Sequence, residues 1–238
     1  YLLYSARNEG DDPTHLLRKD LTSGQTEDVF NLENLNTIPT KAVIHNDKAY
    51  LSDDGQIAVF SLYDGERSGP YIEETYQKNF LSGELKFLGS SDNFNLRDVS
   101  ADGNIILYEK TIDNENVSYE KGLFVINLSS GEEKRIDLNS YGKSFLEDNY
   151  SVARVKGISP DGNFVQFESS YDLASLIDIE FIGFWEVPEY FIGTDLTATA
   201  SQTFIKNLTT EEFTPVTTDA NGNFINYGFG GVIFSDDY

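Results

Sequence analysis

The sequence has 238 residues, of which 39% are hydrophobic and 13% aromatic, so it holds enough apolar material for a folded core and is not typical of a disordered chain. It contains 40 Asp and Glu residues against 17 Lys and Arg, and because the resulting net charge of −23 repels nucleic acid and anionic lipid, we expect neither a nucleic-acid partner nor membrane insertion. The lack of cysteine excludes a disulfide framework, a thiol nucleophile and a thiolate metal site.

The predicted elements are short strands joined in hairpins, and two kinds of hairpin alternate along the chain after an initial strand (YLLYSA). One kind has Ser-Gly or Thr-Glu at its turn, and the other has Ser and Asp-Gly at its turn. The Ser-Gly kind occurs at 19–29, 79–88, 127–136 and 207–216, and the Asp-Gly kind at 51–60, 99–108 and 158–167, with a truncated copy at 234–238.

One hairpin of each kind supplies four strands, which is the composition of a propeller blade. The sequence therefore predicts an all-β fold, a single β-propeller domain over 1–238 with four blades of four antiparallel strands. The predicted blades are 231–238 with 1–31, then 41–89, 96–138 and 154–217.

The two ends of the sequence complement each other in this pattern. Aligning Tyr238 with Gly103, and Tyr1 with Ile105, leaves one residue missing between the end of a first strand and the start of a second strand. We therefore expect the N- and C-terminal strands to close the ring, which removes exposed sheet edges. The absence of methionine, even at position 1, indicates a processed chain or a segment of a longer one.

Ser-Pro-Asp-Gly (159–162) followed by a strand, and Asn-Leu-Ser-Ser-Gly-Glu (127–132), resemble the TolB-type, WD40-like β-propeller repeat. The segment NLTTEEFTPVTTDANGN is similar to repeats of large exported bacterial proteins. The resemblance implies a secreted, periplasmic or cell-surface location and leaves function open. The second blade departs from the pattern, because 41–60 can also form three strands around Asn46-Asp47 and Asp53-Asp54-Gly55; a fifth, irregular blade is the alternative.

The Ser-x-Asp-Gly turns contain Asp54, Asp102 and Asp161. Ser and Asp side chains accept hydrogen bonds from turn N–H groups, and Gly takes the positive φ that closes the turn. We interpret these carboxylates as hairpin devices and assign them no catalytic role.

Long connections would all project from the face opposite these turns, where binding residues are usually found. The longest, 169–202, contains the single tryptophan. We predict a partner-binding group of aromatic residues there, the alternative being that they cap the central opening; they are Trp185, Phe184, Tyr190 and Phe191.

Three cations precede the turn serines in the predicted innermost strands: Arg97, Arg154 and Lys156. Pointing into the channel, they would bind an anionic group such as a carboxylate or phosphate. The alternative is that they pair with neighbouring acids, for example Asp98.

We expect no cofactor other than calcium. The segment 219–223 offers oxygen ligands at alternate positions, namely Asp219, Asn221 and Asn223. The spacing lacks the Gly and Glu of an EF-hand loop, so a simple turn is the alternative.

These features favour an exported binding or scaffold propeller that engages a protein or glycan partner through its long-loop face. One alternative is a polysaccharide- or ester-cleaving enzyme with an acidic site in the propeller opening, and another is a structural module of a larger cell-surface protein. Because His15 and His45 lie in different predicted blades and no Gly-x-Ser-x-Gly elbow is present, the sequence favours binding over catalysis.

Overall fold

The computed structural model describes residues 1–6, 15–31, 42–64, 73–91, 93–114, 117–138, 153–169 and 202–216. Within these ranges the regular structure consists of β-strands in four antiparallel sheets, and no helix occurs. The predicted all-β class with four sheets is confirmed.

Consecutive strands pair within each sheet, which is the up-and-down order of a propeller blade. The first sheet contains β1 (Leu2–Ala6), β2 (His15–Lys19) and β3 (Thr26–Asn31). The second contains β4 (Ala42–Leu51), β5 (Ile57–Asp64), β6 (Glu73–Asn79) and β7 (Leu85–Ser90). The third contains β8 (Asn95–Val99), β9 (Ile105–Asn114), β10 (Val117–Asn127) and β11 (Glu133–Arg135), and the fourth contains β12 (Ala153–Ile158), β13 (Phe164–Ser169), β14 (Gln202–Asn207) and β15 (Phe213–Pro215).

The first sheet has three described strands where the others have four. Its β1 is the strand predicted at YLLYSA, and it pairs with β2 from Leu2 opposite Lys19 to Ala6 opposite His15. Residues 231–238, expected to supply the fourth strand and close the ring, lie outside the described residues, so closure stays a prediction.

The alternative reading of the second blade is wrong. One strand, β4, passes through Asn46-Asp47 and pairs with β5 on both sides of a register shift between Ile44 and Ala49. The extra residues form a bulge within the strand, so they do not turn the chain into a third strand. The described residues accordingly form four sheets and give no fifth.

The chain divides into two compact units, Tyr1–Thr111 with Val125–Glu133, and Ile112–Phe124 with Lys134–Tyr238. In the first unit, a hydrophobic cluster joins the first two sheets. Its rings include Phe30 and Phe60, with centroids 5.4 Å apart, and Tyr76 stacks on Phe60 at 6.0 Å. The other buried members are Leu16, Val29, Ile44, Ala58 and Leu62. On β5 the cluster members Ala58, Phe60 and Leu62 alternate, as the strand periodicity requires.

In the second unit, two lysines connect β11 and the residue that follows it to the fourth sheet. Lys206 is buried, and its Nζ donates to the carbonyl oxygen of Ile136 at 2.8 Å. Lys134 donates to the carbonyl oxygen of Leu208 at 2.9 Å and pairs with Glu211 at 2.7 Å. Burial lowers the pKa of Lys206, because a desolvated ammonium is less stable than its neutral form.

The Ser-Gly kind of hairpin turn is organised by an Asn or Asp side chain. Asn79 Oδ1 accepts hydrogen bonds from the N–H groups of Leu81 and Ser82 at 2.9 and 3.0 Å. Asp20, Asn127 and Asn207 act in the same way. Leu21 follows Asp20 and Phe80 follows Asn79, so Phe80 is the structural equivalent of Leu21. The repeated leucines in the sequence suggest instead that Leu81 is the equivalent.

Candidate functional site

The Ser-Asp pairs of the Asp-Gly kind of turn form closed local hydrogen-bond sets. Ser52 Oγ donates to Asp54 Oδ1 at 2.7 Å and accepts from the N–H of Ile57 at 2.9 Å. Asp54 Oδ1 also accepts from the N–H of Gln56 at 2.9 Å. Equivalent bonds occur around Ser100 with Asp102 and around Ser159 with Asp161. The interpretation of these carboxylates as hairpin devices is confirmed.

A β-bulge on the first strand of two sheets carries a predicted cation. In β8 the pairing register shifts between Leu96 and Asp98, so Arg97 is the extra residue. In β12 it shifts between Val155 and Gly157, so Lys156 is the extra residue. Bulges change the direction of a side chain relative to its neighbours, and both cations stand three residues before the turn serine. The repeat therefore presents a cation at the same structural position in both sheets.

Each bulge cation pairs with a glutamate on the second strand of its sheet. Arg97 Nη2 lies 2.6 Å from Glu109 Oε2, and Lys156 Nζ lies 2.9 Å from Glu168 Oε2. The side chains of Arg97 and Lys156 remain 40% and 39% exposed, whereas their glutamates are 17% and 21% exposed. Solvent can thus reach the cations more easily than the acids that neutralise them.

The acid that pairs with Arg97 in the structure differs from the one that the sequence suggests. Asp98 Oδ1 accepts from the N–H of Val99 at 2.9 Å, and Arg97 forms its ion pair with Glu109. Sequence proximity suggests Asp98, but strand pairing brings Glu109 close instead. The signal in the sequence is the repeat itself, because Glu109 and Glu168 both follow their turn serine by nine residues.

A second ion pair, unforeseen from the sequence, adjoins Arg97 in the first unit. Lys48 Nζ donates to Glu73 Oε1 and Oε2 at 2.7 and 2.9 Å and to Asn95 Oδ1 at 2.7 Å. Asn95 Nδ2 in turn lies 3.5 Å from Glu109 Oε2. Lys48 belongs to the bulged part of β4, a feature that the residue pattern does not indicate.

We call these five side chains the bulge network: Lys48, Glu73, Asn95, Arg97 and Glu109. Glu73 begins β6 and Asn95 begins β8, so the network adjoins the connections that precede these strands. Glu73 is buried, and Lys48 satisfies both of its carboxylate oxygens. Removing one member of such a pair leaves a buried charge without a partner, so the network fixes the strand on which Arg97 stands.

Chemically, the half-exposed end of the network suits an anion. A guanidinium has five N–H donors, and the bond to Glu109 uses one of them. A carboxylate or phosphate that approached from solvent would meet a planar donor group already fixed in position. Tyr50 supports this position, since its hydroxyl donates to the backbone oxygen of Arg97 at 2.8 Å.

The other predicted site residues are described in part or not at all. Arg154 stands opposite Glu168 in the β12–β13 register, but its side chain lies outside the described residues. The aromatic group (Trp185, Phe184, Tyr190 and Phe191) and the calcium ligands (Asp219, Asn221 and Asn223) also lie outside them. In the part of the chain that the structure describes, no group of three or more His, Asp or Glu side chains is placed to hold a metal ion.

Among the described residues there is no helix of sufficient length and hydrophobicity to cross a membrane. No protein-family model matches the chain, and no curated protein matches it.

Solved structures similar to this chain include two TolB proteins, the family that the repeats resemble. TolB from Acinetobacter baumannii is 14% identical with a TM-score of 0.49, and the match covers 93% of this chain and 42% of that one. The putative TolB from Agrobacterium tumefaciens is 17% identical with a TM-score of 0.43, over 87% of this chain and 56% of that one.

A third similar structure is the β-propeller domain of the Trilobed protease from Pyrococcus furiosus, which reveals an open velcro topology. It is 15% identical with a TM-score of 0.38, over 71% of this chain and 43% of that one. The chain thus spans less than three fifths of the length of each of these three structures.

Proposed function

We propose that this chain is a binding module that holds an anionic group of a protein or glycan partner at the bulge cations of its sheets. The observation that carries the proposal is the repeated position of Arg97 and Lys156, each the extra residue of a bulge and each more exposed than its glutamate. In a chain with a net charge of −23, fixed and accessible cations are favoured places for a carboxylate.

The glutamates hold the bulge cations in position before a partner binds. Arg97 is 40% exposed and its ion pair with Glu109 uses one of its N–H donors, so a ligand can bind the remaining donors while the pair stays intact. The pair keeps Arg97 in one orientation until a partner arrives, and a preoriented group loses less conformational entropy on binding.

The test is the binding of an oligosaccharide of uronic acids and of a glutamate-rich peptide, measured by calorimetry with Arg97→Gln. We expect affinity to fall by about tenfold, the equivalent of ~1.4 kcal/mol, because one charge-assisted hydrogen bond is lost. Glu109→Gln should act in the opposite direction, since it removes the internal competitor for Arg97.

Lys86→Gln is the matched control. Lys86 is an exposed cation on β7 that pairs in register with Gln77, so it does not stand at a bulge. An equal loss of affinity for R97Q and K86Q would show that only overall charge matters and would refute the proposal. Thermal unfolding of each variant separates loss of binding from loss of folding.

The aromatic group of residues 184–191 remains part of this proposal as a second contact for the same partner, and Trp185→Ala in the same calorimetric assay measures its share. We also propose that the module acts outside the cytoplasm, as the resemblance to exported repeats implies. Turnover of the oligosaccharide by the unaltered protein would favour the enzyme alternative.

A further inference from the structure

The exposed large hydrophobic side chains among the described residues all belong to the first two sheets. Two of them stand on hairpin turns, Leu21 at 65% exposed and Leu81 at 80%. The remaining three are Tyr1, Leu2 and Phe87. At the position of Leu81, the corresponding turns of the third and fourth sheets carry Ser129 and Thr209, and at the position of Leu21 they carry Leu128 and Leu208, which are half-buried. Among the described residues, strongly exposed turn leucines therefore occur in the first two sheets.

The two leucine-bearing turns are held together by a buried arginine. The Arg18 guanidinium carbon lies 4.0 Å from the centre of the Tyr1 ring and 4.2 Å from that of Phe80. Arg18 also pairs with Glu27 at 2.6 Å. Since Phe80 precedes Leu81 and Arg18 lies in the strand that leads to Leu21, these contacts join the two turns. Their exposed leucines thus form part of a fixed surface.

The charges that surround these leucines are mainly acidic. Asp53 and Asp54 are exposed on the neighbouring Asp-Gly turn, and Glu84 is exposed three residues after Leu81. Three lysines lie near these turns in the described residues: Lys86 is exposed, whereas Lys19 and Lys78 are half-buried, and Lys78 Nζ donates to the carbonyl oxygen of Gly83. Exposed leucines beside acids are complementary to a segment that combines basic and aliphatic side chains.

We propose that Leu21 and Leu81, with Asp53, Asp54 and Glu84, form a docking surface for a basic segment of a partner protein that carries aliphatic anchors. We call these five residues the turn-end surface. It goes beyond the anion site, because it lies at the hairpin turns, whereas Glu73 and Asn95 of the bulge network begin their strands after the other connections. It is also opposite in charge to the cation Arg97.

The test uses a labelled peptide of alternating lysine and leucine, followed by fluorescence anisotropy at low and physiological salt. Leu21→Ser with Leu81→Ser should weaken binding by about tenfold, because two exposed anchors lose apolar contact. Thr209→Ser, at the position equivalent to Leu81, is the matched control and should leave binding unchanged. Asp53→Asn with Glu84→Gln should reduce the dependence on salt.

A matching peptide of lysine and serine separates the two contributions. If it binds as tightly as the lysine–leucine peptide, or if the leucine variant binds as well as the unaltered protein, the proposal is wrong, since attraction would then be purely electrostatic. Absence of lysine–leucine binding also overturns it. Self-association that is lost in the leucine variant, seen by sedimentation, would assign the surface to a second copy of this chain and would refute a basic partner. Arg97→Gln leaves this binding unchanged, so the two sites fail separately.

Discussion

Single side chains with local roles are the part of this molecule most readily predicted from sequence. The Ser-x-Asp-Gly pattern predicts a carboxylate that accepts turn hydrogen bonds, and Asp54, Asp102 and Asp161 do so. The partner of Arg97 was not predictable from its neighbours, because the pairing of β8 with β9 brings Glu109 into reach across twelve residues. Contacts within a turn depend on spacing alone, whereas contacts between strands depend on register and bulges.

Asp54 gives a prediction for the dependence of stability on pH. The hydrogen bond from the Ser52 hydroxyl, together with that from the N–H of Gln56, lowers the pKa of Asp54 below its usual 3.8. A carboxylate with a lowered pKa in the folded state contributes stability above the unfolded pKa, and that contribution is lost as the pH falls through the folded pKa.

Asp54→Asn keeps an acceptor oxygen but removes the charge, so the variant should be less stable than the unaltered protein at neutral pH. The difference should shrink as the pH falls below about 4. Urea unfolding over a pH series measures it, with Asp53→Asn as the control outside the Ser52 hydrogen-bond set. A constant difference at every pH would contradict the assignment.

At the scale of hairpins, the turn residues predict the strands and their order, but they do not predict two details. The repeat of leucines suggests aligning Leu81 with Leu21, whereas the Asn79 cap places Phe80 at that position. The Thr-Glu turn of the fourth sheet was identified correctly, yet its Glu211 takes the positive φ of 64° that glycine takes in the other three turns. The repeat spacing places Glu211 four residues after Asn207, as Gly131 follows Asn127, but spacing alone does not show that the backbone keeps the positive φ.

Replacing either of two turn glycines of similar backbone conformation by alanine should lower the free energy of unfolding, but by different amounts. Gly55 and Gly83 have φ of 70° and 76°, so alanine at either position is strained by about 1 kcal/mol. A Cβ at Gly83 meets nothing within 4 Å, but one at Gly55 would collide with the Tyr1 ring. Gly83→Ala should therefore cost about 1 kcal/mol, and Gly55→Ala about 2 to 4 kcal/mol. Chemical denaturation measures both, and equal losses would show that the Tyr1 ring moves aside without cost.

At the scale of the whole molecule, acidic and basic side chains occupy different positions along the strands. Among the described residues, many exposed acids lie at the hairpin turns, including Asp53, Asp102, Glu132, Asp161 and Glu212, while the half-exposed cations Arg97 and Lys156 stand on the bulges. Composition predicts the excess of acid but not this arrangement, which needs the strand order. The excess repels itself in the folded state, and such self-repulsion destabilises a compact protein.

Salt should therefore stabilise the protein. Between about 0.01 and 0.15 M ionic strength the screening length falls from about 30 to about 8 Å, which weakens repulsion among exposed carboxylates while close pairs such as Lys156–Glu168 at 2.9 Å lose less. We expect the thermal unfolding midpoint to rise by a few degrees, measured by circular dichroism with sucrose as an uncharged control. Glu84→Gln with Glu132→Gln should reduce the rise, because two exposed charges are removed. A midpoint that falls with salt would mean that the ion pairs outweigh the repulsion, and the half-exposed cations would then be needed for folding before any partner binds.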